Sequence, residues 1–439
     1  MAIPNGVKIN CDIKNWTMDK KTSTINAVKI HNFIDPLLVT NPTNIRYLTG
    51  FAGAAPEERE AYVLVTKSQV YLFTNSLYRE EAKTLKNAGS FKRLNLLGSK
   101  SLQGLTLIEI SREEPFAKKL ANILKLASQG QALRSYRIGF EETDLTVAEF
   151  AKLKKECKGV ALIPTQGRIE ELRMSKRDDE IENIRQAAKL TDQCFDFILG
   201  KIEIGVTEAD IAWEIESFIR TRGAGLAFSP IVAFGKNTSQ PHYTIQPQGP
   251  ALSVNASEIV LLDFGVKVNG YCSDMTRVVF VGKPKDEWVN AYKAVFKAQQ
   301  TALEYLHLEG VKAHLPGNAW PSGAQIDRIA RKVIEKAGYP TYPHSLGHGV
   351  GLDIHEAPKL SFKNPSTRSA VRLSPPAVSS GPNCSPSKSP SGLQPEMVVT
   401  IEPAIYIEGS YGIRIEDLVL LKKDGIEILS KSNKEMIIL

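Results

Sequence analysis

The sequence predicts an α/β (α+β) protein of two domains, a smaller N-terminal α/β unit followed by a larger one built of strand pairs and long helices. Three observations carry this. The chain has 439 residues, and a single hydrophobic core rarely grows beyond roughly 250–300. Residues 1–165 alternate short β-branched or aromatic runs with helical stretches. From residue 166 to 439 the pattern changes to long amphipathic helices and paired strands, and the change falls within 160–172.

In chain order, AYVLVT (61–66) and QVYLFT (69–74) read as strands separated by a polar turn. SLYREEAKTLKNAG has helical spacing and ends at Gly89, a plausible C-cap, and FAKKLANILKLA (116–127) repeats the helical pattern. Residues 175–202 predict one long helix. Ile181, Ile184, Ala188 and Phe195 form its apolar stripe, and Ser175 with Asp178 resembles a capping box. A second helix is expected from a Thr207 cap to Gly223. IVLLDFGVKV and YCSDMTRVVFV then flank Asn269–Gly270, a strong hairpin signal. TALEYLHLEG (301–310) and GAQIDRIARKVIEKAGY (323–339) are helical, and MVVTIEPAIYI with YGIRIEDLVLL predicts another strand pair. Residues 361–395 are dense in serine and proline and are expected to form a disordered insert. Residues 314–323, HLPGNAWPSG, are a smaller polar excursion.

Composition narrows the function. The net charge is +7, but Lys363, Arg368, Arg372 and Lys388 of the 361–395 segment supply four of those charges, leaving +3 elsewhere. That is an ordinary mixed surface rather than a nucleic-acid footprint. No apolar run reaches the roughly 18 residues of a membrane span. The start, MAIPNGVKINCDIKNW, lacks the basic and apolar regions of a signal peptide. Five widely spaced cysteines without a CxxC argue against a disulfide framework or a thiolate metal site. A cytoplasmic protein is expected.

The chemistry gathers in the strand pairs. With Asn269 and Gly270 as the turn, counting back along the hairpin puts Asp263 opposite Thr276, with Asp274 on the same face. The two aspartates become diagonal neighbours, about 7–8 Å apart at the backbone, flanked by Leu261, Leu262 and Phe264. A lone aspartate is most often a turn or solvated residue. Two that converge in apolar surroundings repel by about 4 kcal/mol at ~4 Å and an effective dielectric of ~20, so a proton or a cation must answer them. The second pair contributes Glu402 and Glu416, each mid-strand in apolar context. Arg414 shares a face with Glu416 by strand alternation, and an ion pair between them is the plain account of that couple. HSLGHGVGLDIHEAP (344–358) holds three of the seven histidines, among them His348 and His355, framed by glycines 347, 349 and 351. Its Gly-x-Gly-x-Gly spacing is a weak phosphate signal, since no helix pattern follows. His242 lies in FGKNTSQPHYTI. Four carboxylates and an imidazole are a hard donor set suited to two divalent ions such as Mn²⁺, Co²⁺, Fe²⁺ or Zn²⁺, which activate a shared water near neutral pH.

These residues resemble a known family. LDFGVKVNGYCSDMTR, HSLGHGVGLDIHE, TIEPAIYI and GIRIEDLVL are similar to the metal-site motifs of the M24 "pita-bread" metallopeptidases, across roughly residues 170–439. NIRYLTGF and VYLFTNSLYREEA are similar to the smaller creatinase/prolidase-type N-terminal domain of Xaa-Pro peptidases, aminopeptidase P and prolidase. Methionine aminopeptidases share the catalytic fold but lack that domain. The resemblance implies that Asp263 chelates one metal, that Asp274 and Glu416 bridge two, and that His348 and Glu402 bind the other. It implies Mn²⁺ first among the candidate metals, a proton-shuttling Glu402, His242 and His355 as hydrogen-bond donors to the substrate, and Arg414 as the group orienting Glu416. It further implies a proline-containing peptide substrate and a homodimer, with no nucleic-acid or membrane partner. Xaa-Pro aminopeptidase activity is the leading expectation and Xaa-Pro dipeptidase activity the alternative. A non-catalytic pita-bread binding module and metal-free, creatinase-like amidine hydrolysis are the contrasting classes, and relatives of the former kind lack ligands that are all present here. The sequence departs from the family where the Ser/Pro segment interrupts the link from His355 to Gln394–Pro395–Glu396–Met397, where no motif assigns Arg368 or Arg372 as a carboxylate reader, and where Asn75 replaces a common acidic residue.

Overall fold

The structure, a computed structural model, describes residues 36–53, 59–66, 69–88, 104–127, 136–245, 253–313, 315, 318–362 and 392–439. Residues 363–391 of the expected disordered insert, with Arg368 and Arg372, lie outside the described residues, as do Gly89 and His314.

The N-terminal unit is a six-stranded mixed sheet in the order β4-β3-β2-β1-β5-β6. Its strands are β1 (Leu37–Val39), β2 (Ala61–Val65), β3 (Val70–Thr74), β4 (Leu105–Glu109), β5 (Arg137–Glu141) and β6 (Ala161–Thr165). Its helices are α1 (Pro42–Thr49), α2 (Arg79–Ala88), α3 (Phe116–Ala127) and α4 (Val147–Glu156). Both strands and both helices expected in this region form where the apolar periodicity placed them. Asn41 caps α1, with Pro42 at its first turn, where a missing N–H costs nothing.

α5 (Arg168–Met174) leads into α6 (Asp178–Leu199) and α7 (Glu208–Thr221). Ile181, Ile184, Ala188 and Phe195 of the expected stripe are buried, and Thr207 caps α7 in a capping box. The expected Ser175–Asp178 box does not form. Ser175 bridges to Met397 and the Lys176 N–H bonds to Glu396 O, so the chain turns into the helix only at Arg177, whose N–H donates to Glu180. Tertiary pairing has displaced the local cap.

The C-terminal half follows with β7 (Gly225–Leu226), β8 (Ile231–Phe234), β9 (Glu258–Phe264), β10 (Val266–Val268), β11 (Tyr271–Cys272) and β12 (Met275–Val281). Next come α8 (Asp286–Lys312), α9 (Gly323–Lys336), β13 (Gly347–Gly349), β14 (Glu356–Leu360), β15 (Val398–Ile401) and β16 (Ala404–Ile407), then β17 (Tyr411–Arg414), β18 (Asp417–Lys422), β19 (Gly425–Ile428) and β20 (Ile437–Ile438). α8 begins well before the predicted 301–310 stretch. The main sheets run β20-β12-β9-β8 and β14-β13-β15-β18-β19. Alternation sorts β9 cleanly: Val260, Leu262 and Phe264 pack with Phe195 and Ile215 of α6 and α7, while Ile259 and Leu261 pack with Trp288 and Val295 of α8. Among the described residues no helix is long and apolar enough to cross a membrane.

Candidate metal centre

The first hairpin has the expected register: Val268 pairs with Tyr271 and Asp263 with Thr276. Asn269 (φ 49°) and Gly270 (φ 90°) supply the left-handed turn. The strands are not continuous, however. They break at Gly265 and at Ser273–Asp274, and a Cβ on Gly265 would sit 1.9 Å from Ser273 O. The break frees Asp274 from the ladder at the position where the two strands press closest. The second pair breaks in the same way. Its register runs from Ile401↔Asp417 to Ala404↔Arg414, which sets Glu402 opposite Glu416 in the gap between the two ladders. The Glu416 N–H bonds to Thr276 O at 3.1 Å and joins the two hairpins. Behind the joint, Arg277, fully buried, pairs with Asp417 at 2.8 Å.

Among the described residues, Asp274, His348 and Glu416 bring one ligand atom each to within 4.8 Å of one another. Glu402 Oε1 lies 3.5 Å, and Asp274 Oδ2 3.6 Å, from His348 Nε2. The other ring nitrogen of His348, Nδ1, is 3.1 Å from Gly349 O. A carbonyl can only accept, so Nδ1 carries the proton and Nε2 presents its lone pair to the two carboxylates. Burial, followed by neighbouring His355, holds the His348 pKa down at about 4, so the ring is neutral.

Asp263 has a partner that strand alternation did not assign. Its Oδ2 accepts from Arg414 Nη2, while its Oδ1 is buried without a hydrogen-bond partner, as is Asp274 Oδ1. Arg414 therefore pairs with Asp263 and not with Glu416, because its long side chain crosses from the second hairpin to the first. It reaches Glu416 at one remove: Arg414 Nε donates to Thr276 Oγ1 at 3.0 Å, and Thr276 Oγ1 donates to Glu416 Oε2 at 2.7 Å. Arg414 Nη1 also donates to Tyr406 Oη at 2.6 Å, which lies 3.2 Å from His344 Nε2.

Burial is the largest cause raising all four carboxyl pKa values. For Asp274 and Glu402, both pushed well above the usual range, Glu416 comes next, and Glu416 itself rises to about 8. The Asp263 shift is upward but opposed by Arg414. Ionised, the four carboxylates carry −4 against the one charge of Arg414, leaving −3 in a buried site. Two orphaned oxygens and an imidazole lone pair directed at carboxylates complete a donor set that suits hard or borderline divalent cations.

The remaining expected residues surround this cluster. The His355 ring centroid is 4.4 Å from that of His348, edge to face. His242 is exposed on the loop after Pro241, whose carbonyl accepts from Arg414 Nη1 at 3.2 Å. His344, Thr276 and Tyr406 were not singled out from sequence. The density of histidine in 344–355 was a usable signal for His344, whose pKa burial drives down to about 3. Thr276 and Tyr406 carry no sequence signal of their own.

Residues 182–423 match metallopeptidase family M24, and residues 29–175 match the creatinase/prolidase N-terminal domain. An uncharacterized peptidase of Bacillus subtilis is 32% identical over 408 residues, spanning 92% of this chain and 96% of its own. The solved Xaa-Pro dipeptidase from Bacillus anthracis superimposes with a TM-score of 0.71 at 31% identity, over 92% of this chain and 95% of the other. The X-Pro aminopeptidase from Thermotoga maritima gives 0.71 at 28% identity, over 92% and 98%.

Proposed function

The chain belongs to metallopeptidase family M24, and from that premise we propose that it removes the N-terminal residue from peptides whose second residue is proline, using two divalent metal ions. One observation carries the metal reading: a neutral imidazole lone pair faces two carboxylate oxygens at 3.5 and 3.6 Å, an arrangement that a cation between them relieves.

In this reading Asp263 would hold one ion and His348 and Glu402 the other, with Asp274 and Glu416 available to both, and Mn²⁺ would be preferred over Co²⁺, Zn²⁺ or Fe²⁺. Bound there, such ions polarise a carbonyl and acidify water. The protein's own groups do the rest. Glu402 takes the proton from the attacking water and returns it to the departing proline nitrogen. His355 and His242 donate hydrogen bonds toward the scissile carbonyl and the proline, where negative charge develops on oxygen. Arg414 holds Asp263 directly and Glu416 through Thr276, so that both carboxylates keep their orientation.

His242 lines a cleft of about 450 Å³ with Trp213, Ile231 and Tyr243, and the preference for an aminopeptidase over a dipeptidase is carried from the sequence resemblance. Ile231 of its lining stands opposite Asp263 in the strand register. The division at residues 165/166, the homodimer and cytoplasmic residence belong to the same proposal, by family likeness.

The test is hydrolysis of Ala-Pro and Ala-Pro-Ala by protein loaded with Mn²⁺, Co²⁺ or Zn²⁺, together with metal analysis. Faster cleavage of the tripeptide and two ions per chain are expected. Cleavage of the dipeptide alone replaces this reading with an Xaa-Pro dipeptidase. Intact peptides with every metal end it in favour of a binding module.

A further inference from the structure

His355 stands on the loop 351–356, and the buried contacts that pin this loop come mostly from outside its own sheet. We infer that Arg173, at the end of α5, is a positioning residue for His355, and that through it the N-terminal unit sets the loop. The inference rests on the reading of His355 as a donor to substrate.

The geometry is that of a clamp. Arg173 is 5% exposed. Its Nη2 donates to Asp353 Oδ2 at 2.7 Å and to Glu356 Oε1, the residues two before and one after His355. Lys176 Nζ adds a contact to Glu356 Oε2 at 3.4 Å. Glu356 Oε1 also accepts the Asp353 N–H at 3.0 Å, closing the loop on itself, and a Cβ on Gly351 would lie 2.6 Å from its Oε2. A planar guanidinium that grips two carboxylates fixes direction as well as distance.

The other edge of Arg173 faces the N-terminal unit. Its Nη1 donates to Asn44 Oδ1 at 2.8 Å, and Asn44 Nδ2 donates to Glu141 Oε1 at 2.6 Å and Glu170 Oε1 at 2.7 Å. Thr43 Oγ1 donates to Asp353 Oδ1 at 2.8 Å. Val350 and Leu352, which bracket the start of the loop, share an apolar cluster with Val39, Ile45 and Leu48. A contiguous set of bonds thus runs from β5 and α1 through Arg173 to both sides of His355, whose ring rests on His348. Breaking one side of a buried pair leaves the other charge uncompensated, so the loop follows Arg173.

The experiment is a double-mutant cycle on the full chain, manganese-loaded, with Ala-Pro-Ala as substrate: wild type, Arg173→Gln, His355→Ala and the double variant. Arg173→Gln is expected to lose about 10- to 100-fold in kcat with its metal content retained. In the His355→Ala background the same change is expected to lose less than about threefold. Equal losses in both backgrounds overturn the inference. Arg173→Lys, which keeps the charge without the fork, is expected to fall between. If Arg173→Gln does not fold, Asp353→Asn, at a carboxylate 45% exposed, replaces it in the cycle with the same criterion. A second readout is independent of turnover: the His355 imidazole resonance of zinc-loaded protein is expected to shift or broaden in Arg173→Gln, with that of His307 unchanged. If His355→Ala leaves turnover intact, the catalytic reading of His355 fails, while an unaltered His355 resonance in Arg173→Gln overturns the clamp.

Discussion

Replacing Asp274 by asparagine is expected to stabilise the metal-free protein and to abolish its response to metal. Asp274 has a ligand oxygen within 4.8 Å of one on Glu416, and Asp263 and Glu402 act on it as well. At an effective dielectric of ~20, one such ionised pair costs about 3 kcal/mol. Burial and crowding raise the folded-state carboxyl pKa values above their unfolded values, so the folded protein keeps protons that the unfolded chain releases. The contribution of these carboxyls to metal-free stability is therefore full below about pH 4.5 and is lost as pH rises through the Glu416 value of about 8. Asparagine keeps the shape and removes one of the charges. Allowing for partial protonation, the gain is about 1–3 kcal/mol at pH 8, or roughly 2–10 °C in the thermal midpoint, and it vanishes near pH 4.5. Metal at 100 times its Kd should raise wild-type stability by about 2.7 kcal/mol and leave Asp274→Asn unmoved. The assay is a thermal melt at pH 4.5 and 8, with and without Mn²⁺. A lower midpoint than wild type at pH 8 without metal, or an undiminished rise with metal, refutes the reasoning.

Thr276→Val removes the hydroxyl through which Arg414 reaches Glu416; metal affinity or kcat is expected to fall about 10- to 100-fold, and unchanged values in metal titration and turnover would show the relay to be idle. Glu402→Gln is expected to lose about 10²- to 10⁴-fold in turnover, the range of a lost acid–base group, while elemental analysis still finds metal at Asp274, His348 and Glu416. In the metal-free protein the His344 ring, pushed down to about 3 by burial, should stay neutral from pH 8 to 5. Its contribution to stability is full above the ordinary histidine range and is lost progressively as pH falls from about 6.5 to about 3. Imidazole proton–nitrogen spectra across that range check this, and protonation near pH 6.5 would contradict it.

Much of the site was legible because strand periodicity is a local property. Asn269–Gly270 dictates the turn, the turn dictates the count, and the count puts Asp263 against Thr276, as the structure has it, while Asp274 falls in the break between the two ladders. The second strand pair was recognised with Glu402 and Glu416 mid-strand, and the structure adds the register that sets the two opposite each other. The apolar stripe of α6 was equally readable, since helical spacing alone specifies which face is buried. The M24 motifs added the peptidase chemistry.

What the tertiary structure decided are the partners that meet across elements. Alternation assigned Arg414 to Glu416, but a guanidinium on a long flexible stem bonds to whatever packing brings within reach, which here is Asp263 and Thr276. Ser175 lost its expected cap because a distant strand claimed its backbone. Nothing in the sequence near Arg173 points to Asp353 and Glu356, some 180 residues away. Backbone geometry propagates only along the chain, so sequence spacing can order residues on one hairpin or one helix. Which hairpin lies against which, and hence which charges must share one buried space, follows from the packing of the whole core.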